Sequence, residues 1–368
     1  MHVAARYATL CWRFIRIHTL LLIYLHMVFF YLCLEMLWPE EPNWLGILGA
    51  FVAMGAVYAN ATAVNDLSDE ATDSLNLSGD SDRPLVSGQG SRREVWGVAW
   101  FAAALALAAS LLIGWETAVL TAIMLALNYV YSMPPFRLSG RGVVAQLLLP
   151  LEYVVYPAIL VYALLGNGNF NVIYIVGDAE GEAAAATMGF RASWGYLAVM
   201  LAMYVIFIGR LFLKDIRDEH GDRATGKRTF TVRHSAHAAI IQSAIWTVAG
   251  TVALSVLMFL YYDVNPWAVF GFCALSLAGQ LLALVQCDRE SNLAAKVRYT
   301  GIYSRWISMK IFFYIVLMIL ATYHLEPWTE AIVLLGTVVM VVCNVFTLYA
   351  GVRAVKPTSP WAPPPASS

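Results

Sequence analysis

The chain of 368 residues alternates long apolar runs with short polar breaks, and the runs have the length of membrane-crossing helices. Ten stand out, at about 14–37, 44–65, 94–113, 116–132, 143–165, 194–213, 237–261, 266–287, 307–323 and 329–351. A helix needs roughly 20 apolar residues to cross the hydrocarbon layer, and a shorter run crosses when its flanking residues reach the interface. The pattern predicts an all-α fold, a polytopic transmembrane helical bundle of about 9–10 spans. Residues 1–355 read as one transmembrane domain, and 356–368 as a disordered Pro/Ser-rich tail. The first run follows Arg6, Arg13 and Arg16, is too long for a removable signal peptide and lacks a small-residue cleavage site, so it is expected to stay as an anchor.

Composition excludes the soluble globular class: 60% of residues are hydrophobic, 13% are charged and the mean hydropathy is +0.66. The net charge of −1 gives no basic field for nucleic acid. Five cysteines, scattered and mostly within apolar runs, suggest neither a disulfide framework nor a zinc site. Charge position adds an orientation. With a cytoplasmic N-terminus, every Lys and Arg except Arg191 falls in an inside loop or at an inside end, while "PEEPN" and "GDAEGE" lie outside. The expectation is a multi-pass protein of the cytoplasmic (inner) membrane with both termini inside.

The polar break after the second run is unusual, placing six acidic residues from Asp66 to Asp82 in "NDLSDEATDSLNLSGDSDRPLVSG". Asp66, Asp69 and Asp73 are spaced i, i+3, i+7, and Asp215, Asp218 and Asp222 in "LKDIRDEHGDRATGKRTF" repeat that spacing after the sixth run. On a helix each set shares one face, so two carboxylate faces are expected at the same end of the bundle, and their separation by four spans suggests an internal repeat of four-helix units. Carboxylates so placed repel one another unless a cation intervenes. Oxygen-only donors suit a hard ion, and Mg²⁺ commonly joins a few carboxylates to substrate phosphates. Arg83, Lys214, Arg223, Lys227 and Arg228 lie close by in sequence and, with Arg137 of "YSMPPFR", could hold the same phosphates. The chemistry indicated is Mg²⁺-assisted departure of a diphosphate. An EF-hand is excluded, because its loop needs alternating acids and a central Gly.

These residues carry a family resemblance. "NDLSDEATD" resembles the N-D-x-x-D-x-x-x-D signature of the UbiA superfamily of intramembrane prenyltransferases. "SDRPLVSG", "YSMPPFRLSGRG" and "KDIRDEHGDRATGKRT" are similar to its later motifs, and "RIHTLL" at 16–21 to its opening one. The resemblance implies a helical bundle around a central cavity open to the cytoplasmic side, with the active site facing the cytoplasm. It implies Mg²⁺ as cofactor, and isoprenyl diphosphate, a lipophilic acceptor and membrane lipid as partners. Carried over by motif, Asn65, Asp66, Asp69, Asp73, Asp218 and Asp222 are the metal and catalytic positions, with Asp215 matching an acid present in only some members. Arg83, Arg137, Lys214 and Lys227 are the expected diphosphate contacts. The chain departs from the family at Ile17, where Pro is usual, and at Ser139, where Lys is usual and Arg141 could substitute. The family pattern also has one span fewer than the ten counted here.

The acceptor side is less marked. His18, Asn128, Tyr131, Glu152 and Tyr153 are candidate acceptor or cavity residues; an ionisable group inside a span is costly and therefore a functional candidate. Glu152 is expected either to polarise or deprotonate the acceptor or to pair with a neighbouring helix. His220 and Glu219 read as solvated, as does the segment "CDRESNLAAKVRYTGIYSRW". The reading is a Mg²⁺-dependent membrane prenyltransferase. Its rivals are a UbiA-type terpene cyclase, a phosphoribosyl transferase acting on a polyprenyl phosphate, and a transporter, which would carry acids near mid-membrane in broken helices.

Overall fold

Backbone polar groups find no water in hydrocarbon, so apolar runs of this length close their hydrogen bonds within themselves. All ten predicted runs are helical in the computed structural model, which describes residues 3–37, 43–76, 83–164, 182–323 and 326–353. The chain runs through α1 (Val3–Ile15), α2 (Ile17–Leu37), α3 (Trp44–Asn76), α4 (Arg92–Ser110), α5 (Trp115–Ser132), α6 (Val143–Pro150) and α7 (Tyr156–Ala163). It continues through α8 (Glu182–Phe212), α9 (Glu219–Ala224), α10 (Phe230–Arg233), α11 (Ala236–Tyr261), α12 (Pro266–Arg289), α13 (Leu293–Tyr323) and α14 (Pro327–Arg353). Among the described residues, eight segments are long and apolar enough to cross a membrane: α2, α3, α6 with α7, α8, α11, α12, α13 and α14. Helices α4 and α5 form where expected but fall outside that set, their apolarity diluted by Arg92, Arg93 and Glu94 in one and Glu116 and Asn128 in the other. "GDAEGE" and the tail lie outside the described residues.

Four local expectations are corrected. The first span is shorter than its apolar run, because the backbone turns at Arg16 (φ 41°) and leaves amphipathic α1 as a separate helix. The second aspartate stretch is not one helical face. α8 ends at Phe212, a single 3-10 turn covers Lys214–Ile216, and Asp218 stands at the N-cap of α9. The segment expected to be a solvated loop before the ninth span ends α12 and, from Leu293 on, forms the first half of α13, with Ala295, Ile302 and Trp306 buried on one side. Lys310, counted among the inside-loop charges, is fully buried within that helix.

Helix α3, which carries the first aspartate set, packs lengthwise on α4, and α8, which leads into the second set, packs lengthwise on α11. The second contact is backbone to backbone at Gly250, where an added Cβ would lie 2.8 Å from the Ile206 nitrogen. Farther along, a row of polar pairs joins α11, α12 and α13: Thr247 with Tyr303, Lys310 Nζ with Thr251 Oγ1 (2.5 Å) and Gln280 Oε1 (2.8 Å), and Ser255 with Tyr314 (2.7 Å). Lipid tails leave no hydrophobic drive between spans, so such small residues and hydrogen bonds hold the helices together.

Between α6 and α7 the helix widens into a π turn over Leu151–Val155, where Tyr156 N–H donates to the Leu151 carbonyl. Pro150 and Pro157 flank the turn, and neither has an N–H to give to a regular ladder. Wider turns of this kind recur at functional positions, and this one carries Glu152.

Gly250→Leu should drive α8 from α11 and destabilise the fold by about 1–3 kcal/mol, the usual cost of overpacking. Gly271→Leu on α12, where the added Cβ meets nothing within 4 Å, should leave the melting temperature in detergent unchanged.

Candidate active site

Helix α3 extends well past its apolar part, and that extension carries Asn65, Asp66, Asp69 and Asp73 along one side. The bend after α8 turns Asp218 and Asp222 to meet them. Asn76, at the end of α3, fixes the junction: its Nδ2 donates to the Asp218 carbonyl (3.0 Å) and its Oδ1 accepts from Gly221 N–H (2.8 Å). Thr72 and Thr225 share a further hydrogen bond at 3.0 Å. Lys227 then bridges the two sets, with Nζ 2.9 Å from Asp69 Oδ2 and 3.8 Å from Asp222 Oδ1.

Every one of these carboxylates is held by a cation. Arg16 reaches Asp66 Oδ1 at 2.6 Å, and Arg83 spans Asp66 and Asp73, the latter at 3.0 Å. Arg137 donates to Asp69 Oδ1 at 2.9 Å, and Arg217 forks onto Asp218 at 2.8 and 3.2 Å. Arg16 and Arg137 both have φ of 41°, and no other non-glycine described residue lies in the left-handed region. Such backbone is costly and persists where surrounding contacts enforce it; here those contacts include the ion pairs to Asp66 and Asp69.

The charges are unevenly compensated. Burial raises the Asp218 carboxyl, but the Arg217 fork outweighs it and holds the group below the usual carboxylate range. Burial pushes Asp222 up to about 7; Lys227 opposes this, and Asp215 and Asp218 add to it. Lys227 sits closer to Asp69 than to Asp222, which explains the incomplete compensation. Burial also works against the charge on Arg83, yet Asp66 and Asp73 raise its pKa above the ordinary value.

A cavity opens beside this cluster. At one end it is lined by Arg16, Asn65, Arg83, Lys214 and Arg217, and elsewhere by Tyr58, Met124, Leu127, Asn128, Tyr131, Leu148, Glu152 and Tyr153. Lys214 Nζ lies over the Tyr131 ring at 5.9 Å. Arg16, Arg83, Lys214 and Arg217 line the cavity, whereas Arg137 and Lys227, which hold Asp69, are not among its lining residues.

Several expected site residues lie elsewhere. His18 is exposed and away from the cavity; at the start of α2 it is Arg16, two residues earlier, whose side chain turns inward. Asp215 is buried against Gln146 Nε2 at 2.9 Å, because the 3-10 turn separates it from Asp218 and Asp222. Arg223 pairs with Glu219 at the surface, and Arg141 and Arg228 are exposed, their backbones joined in an isolated bridge. Arg16, Asn76 and Arg217 are the site residues that the motif spacing did not single out. Arg16 and Arg217 do stand inside the motifs "RIHTLL" and "KDIRDEHGD", but Asn76 has no sequence signal beyond its place after the acids.

Among the described residues, no three carboxylate, His or Cys side chains converge as a metal-binding group. The donors still fit Mg²⁺, which commonly takes one or two carboxylates and completes its shell with water and substrate phosphates. Asp66 Oδ2 and Asp222 Oδ1 are buried without a hydrogen-bond partner, one in each aspartate set.

If Asn76 joins the two sets as its contacts indicate, Asn76→Ala and Gly221→Ala should each lower turnover about tenfold, equivalent to one lost buried hydrogen bond. An added Cβ at Gly221 would meet the Asn76 side chain at 2.6 Å, so the double variant should be no worse than the poorer single one in a mutant cycle of steady-state rates.

The UbiA prenyltransferase family model matches residues 26–304. The digeranylgeranylglyceryl phosphate synthase of Halobacterium salinarum is 31% identical over 247 residues, covering 62% of this chain and 77% of the relative. The enzyme of the same name from Methanopyrus kandleri is 27% identical over 205 residues, covering 56% and 64%. Among solved structures, a digeranylgeranylglyceryl phosphate synthase aligns with TM-score 0.56 and 18% identity, covering 85% of this chain and 99% of its own. A UbiA homologue from Aeropyrum pernix aligns with TM-score 0.54 and 18% identity over 83% and 98%. One from Archaeoglobus fulgidus, bound to GPP and Mg²⁺, aligns with TM-score 0.50 and 17% identity over 94% and 100%. With its aspartate motifs brought together at one end of a helical membrane bundle, the chain belongs to the UbiA prenyltransferase family.

Proposed function

We propose that the protein moves an isoprenyl group from an isoprenyl diphosphate to a lipophilic acceptor, using Mg²⁺ and releasing diphosphate. The observation that carries this reading is Lys227 bound between Asp69 of one aspartate set and Asp222 of the other, beside a cavity edged with cations. The name of the Halobacterium relative and the ligands of the Archaeoglobus homologue agree with it.

Binding is an exchange of partners. The acids hold Arg16, Arg83, Arg137, Arg217 and Lys227 while no phosphate is present. A diphosphate offers these cations stronger acceptors, since guanidinium forks match phosphate oxygens well. The released carboxylates of Asp66, Asp69, Asp73, Asp218 and Asp222, with the Asn65 amide, are then the groups to hold Mg²⁺. When bound, Mg²⁺ neutralises charge on the departing diphosphate. Arg83 and Lys214 stabilise the same charge from the cavity side. The apolar wall of Met124, Leu127 and Leu148 receives the isoprenyl chain and keeps water from the allylic carbon. The aspartate end faces the cytoplasm, as the distribution of Lys and Arg indicates.

Purified protein with Mg²⁺, a series of isoprenyl diphosphates and geranylgeranylglyceryl phosphate or a phenolic acid as acceptor should release diphosphate and form a prenylated product visible by mass. No product with any pair would overturn the reading. Asp69→Asn and Asp218→Asn should lower turnover by at least about 100-fold, the scale of losing a preorganised electrostatic contact. Arg83→Ala should raise the KM for isoprenyl diphosphate about 10- to 150-fold, equivalent to a charge-assisted hydrogen bond. A rise confined to the acceptor KM would place Arg83 elsewhere in the reaction.

For orientation, a cysteine at position 179 should react with an impermeant thiol reagent only from the outer face of sealed vesicles. Labelling from the cytoplasmic face would reverse the topology.

A further inference from the structure

Glu152 is 3% exposed, yet it lines the same cavity as the cation cluster. Its Oε1 is buried with no hydrogen-bond partner, and none of its atoms is salt-bridged to a basic side chain among the described residues. A buried carboxyl left in this state costs free energy that a well-packed apolar residue would not. The π turn over Leu151–Val155 sets its position, since the extra residue per turn rotates Glu152 relative to a regular continuation of α6. Asn128, Tyr58 and Tyr131 line the same cavity, with Lys214 supplying a positive charge to the same space. No phosphate contact suits a carboxylate, because like charges repel. A group that donates a hydrogen bond does suit it.

We propose that Glu152 is the catalytic base that receives the proton of an acceptor hydroxyl, so that the acceptor is an alcohol alkylated on oxygen. This inference rests on the prenyl-transfer reading above. The C1–O bond of the isoprenyl diphosphate breaks, and its electron pair leaves with the diphosphate oxygen. A lone pair on the acceptor oxygen forms the new C1–O bond, and the O–H proton passes to the Glu152 carboxylate. Isoprenyl diphosphate and alcohol thus become a prenyl ether, diphosphate and one proton, which Glu152 returns to water when the products leave. Lys214 balances the carboxylate before the transfer. Asn128, whose Nδ2 lies 3.5 Å from the Val57 carbonyl, is fixed on the wall beside the acceptor.

The test compares wild type, Glu152→Gln and Glu152→Asp with Mg²⁺ and geranylgeranyl diphosphate. The acceptors are geranylgeranylglyceryl phosphate, an alcohol, and a phenolic acid open to alkylation on a ring carbon. Gln keeps the shape but cannot take a proton, so kcat for ether formation should fall at least about 100-fold, within the range of general-base contributions. Equilibrium binding of geranylgeranyl diphosphate should stay within about twofold of wild type, and Asp should recover part of kcat. Unchanged ether formation by Glu152→Gln would overturn the proposal. So would an equal loss of diphosphate binding, which would make Glu152 a structural or phosphate-site residue. Wild-type alkylation of the ring carbon without any ether would also overturn it, while leaving the prenyl-transfer reading intact. No transfer to either acceptor by wild type would fail that reading itself.

Discussion

The structure depends on placing five aspartates of two distant motifs, four of them almost fully buried, within one small volume at the end of an apolar bundle. Taking a carboxylate out of water costs several kcal/mol even after relaxation, and neighbouring carboxylates add repulsion. Cations drawn from five places in the chain offset this. Arg16 comes from the junction of α1 and α2, Arg83 from the segment after α3, and Arg137 from the loop after α5; Arg217 and Lys227 come from the turns around α9. Folding of the polar end is therefore folding of this charge network.

The same network accounts for how a diphosphate can be recognised. Arg16, Arg83 and Arg217, which line the cavity, are already positioned by Asp66, Asp73 and Asp218, so little ordering is left for binding to impose. The residual imbalance is at Asp222, whose carboxyl burial pushes up to about 7 against the opposing charge of Lys227, which is shared with Asp69. A second positive charge brought with the substrate would remove that imbalance. Strained backbone at Arg16 and Arg137 fits the same picture, since the two ion pairs hold conformations that the residues would not adopt by themselves.

The apolar body serves the site by rigidity. Polar pairs along α11, α12 and α13, with the buried Lys310 among them, fix helix register where apolar contact alone would allow sliding. Close backbone approach at Gly250 ties α8 to α11, and α8 leads directly into the second aspartate motif. The π turn between two prolines carries Glu152, a buried acid on the cavity wall.

Much of this was legible in the sequence. Apolar run length set the helices, because a membrane leaves the backbone no other way to close its hydrogen bonds. The spacing of Asp66, Asp69 and Asp73 described a helical face that α3 does present, and the motif order pointed to the family. Local spacing failed where tertiary contact overrode it. The second motif repeats the spacing of the first but bends, because Asn76 captures the Asp218 carbonyl and the Gly221 N–H across the site. His18 and Arg16 were equally near the membrane surface in sequence, and only the backbone turn at Arg16 decided which faces the cavity. "CDRESNLAAKVRYTGIYSRW" looked solvated by its charges, yet its apolar residues share one side of α13 and are buried there. Chain composition and local periodicity determined what crosses the membrane and which acids could act together; long-range packing alone chose the cation for each acid, since no pattern along a chain records which distant side chains its folds bring within a few ångströms.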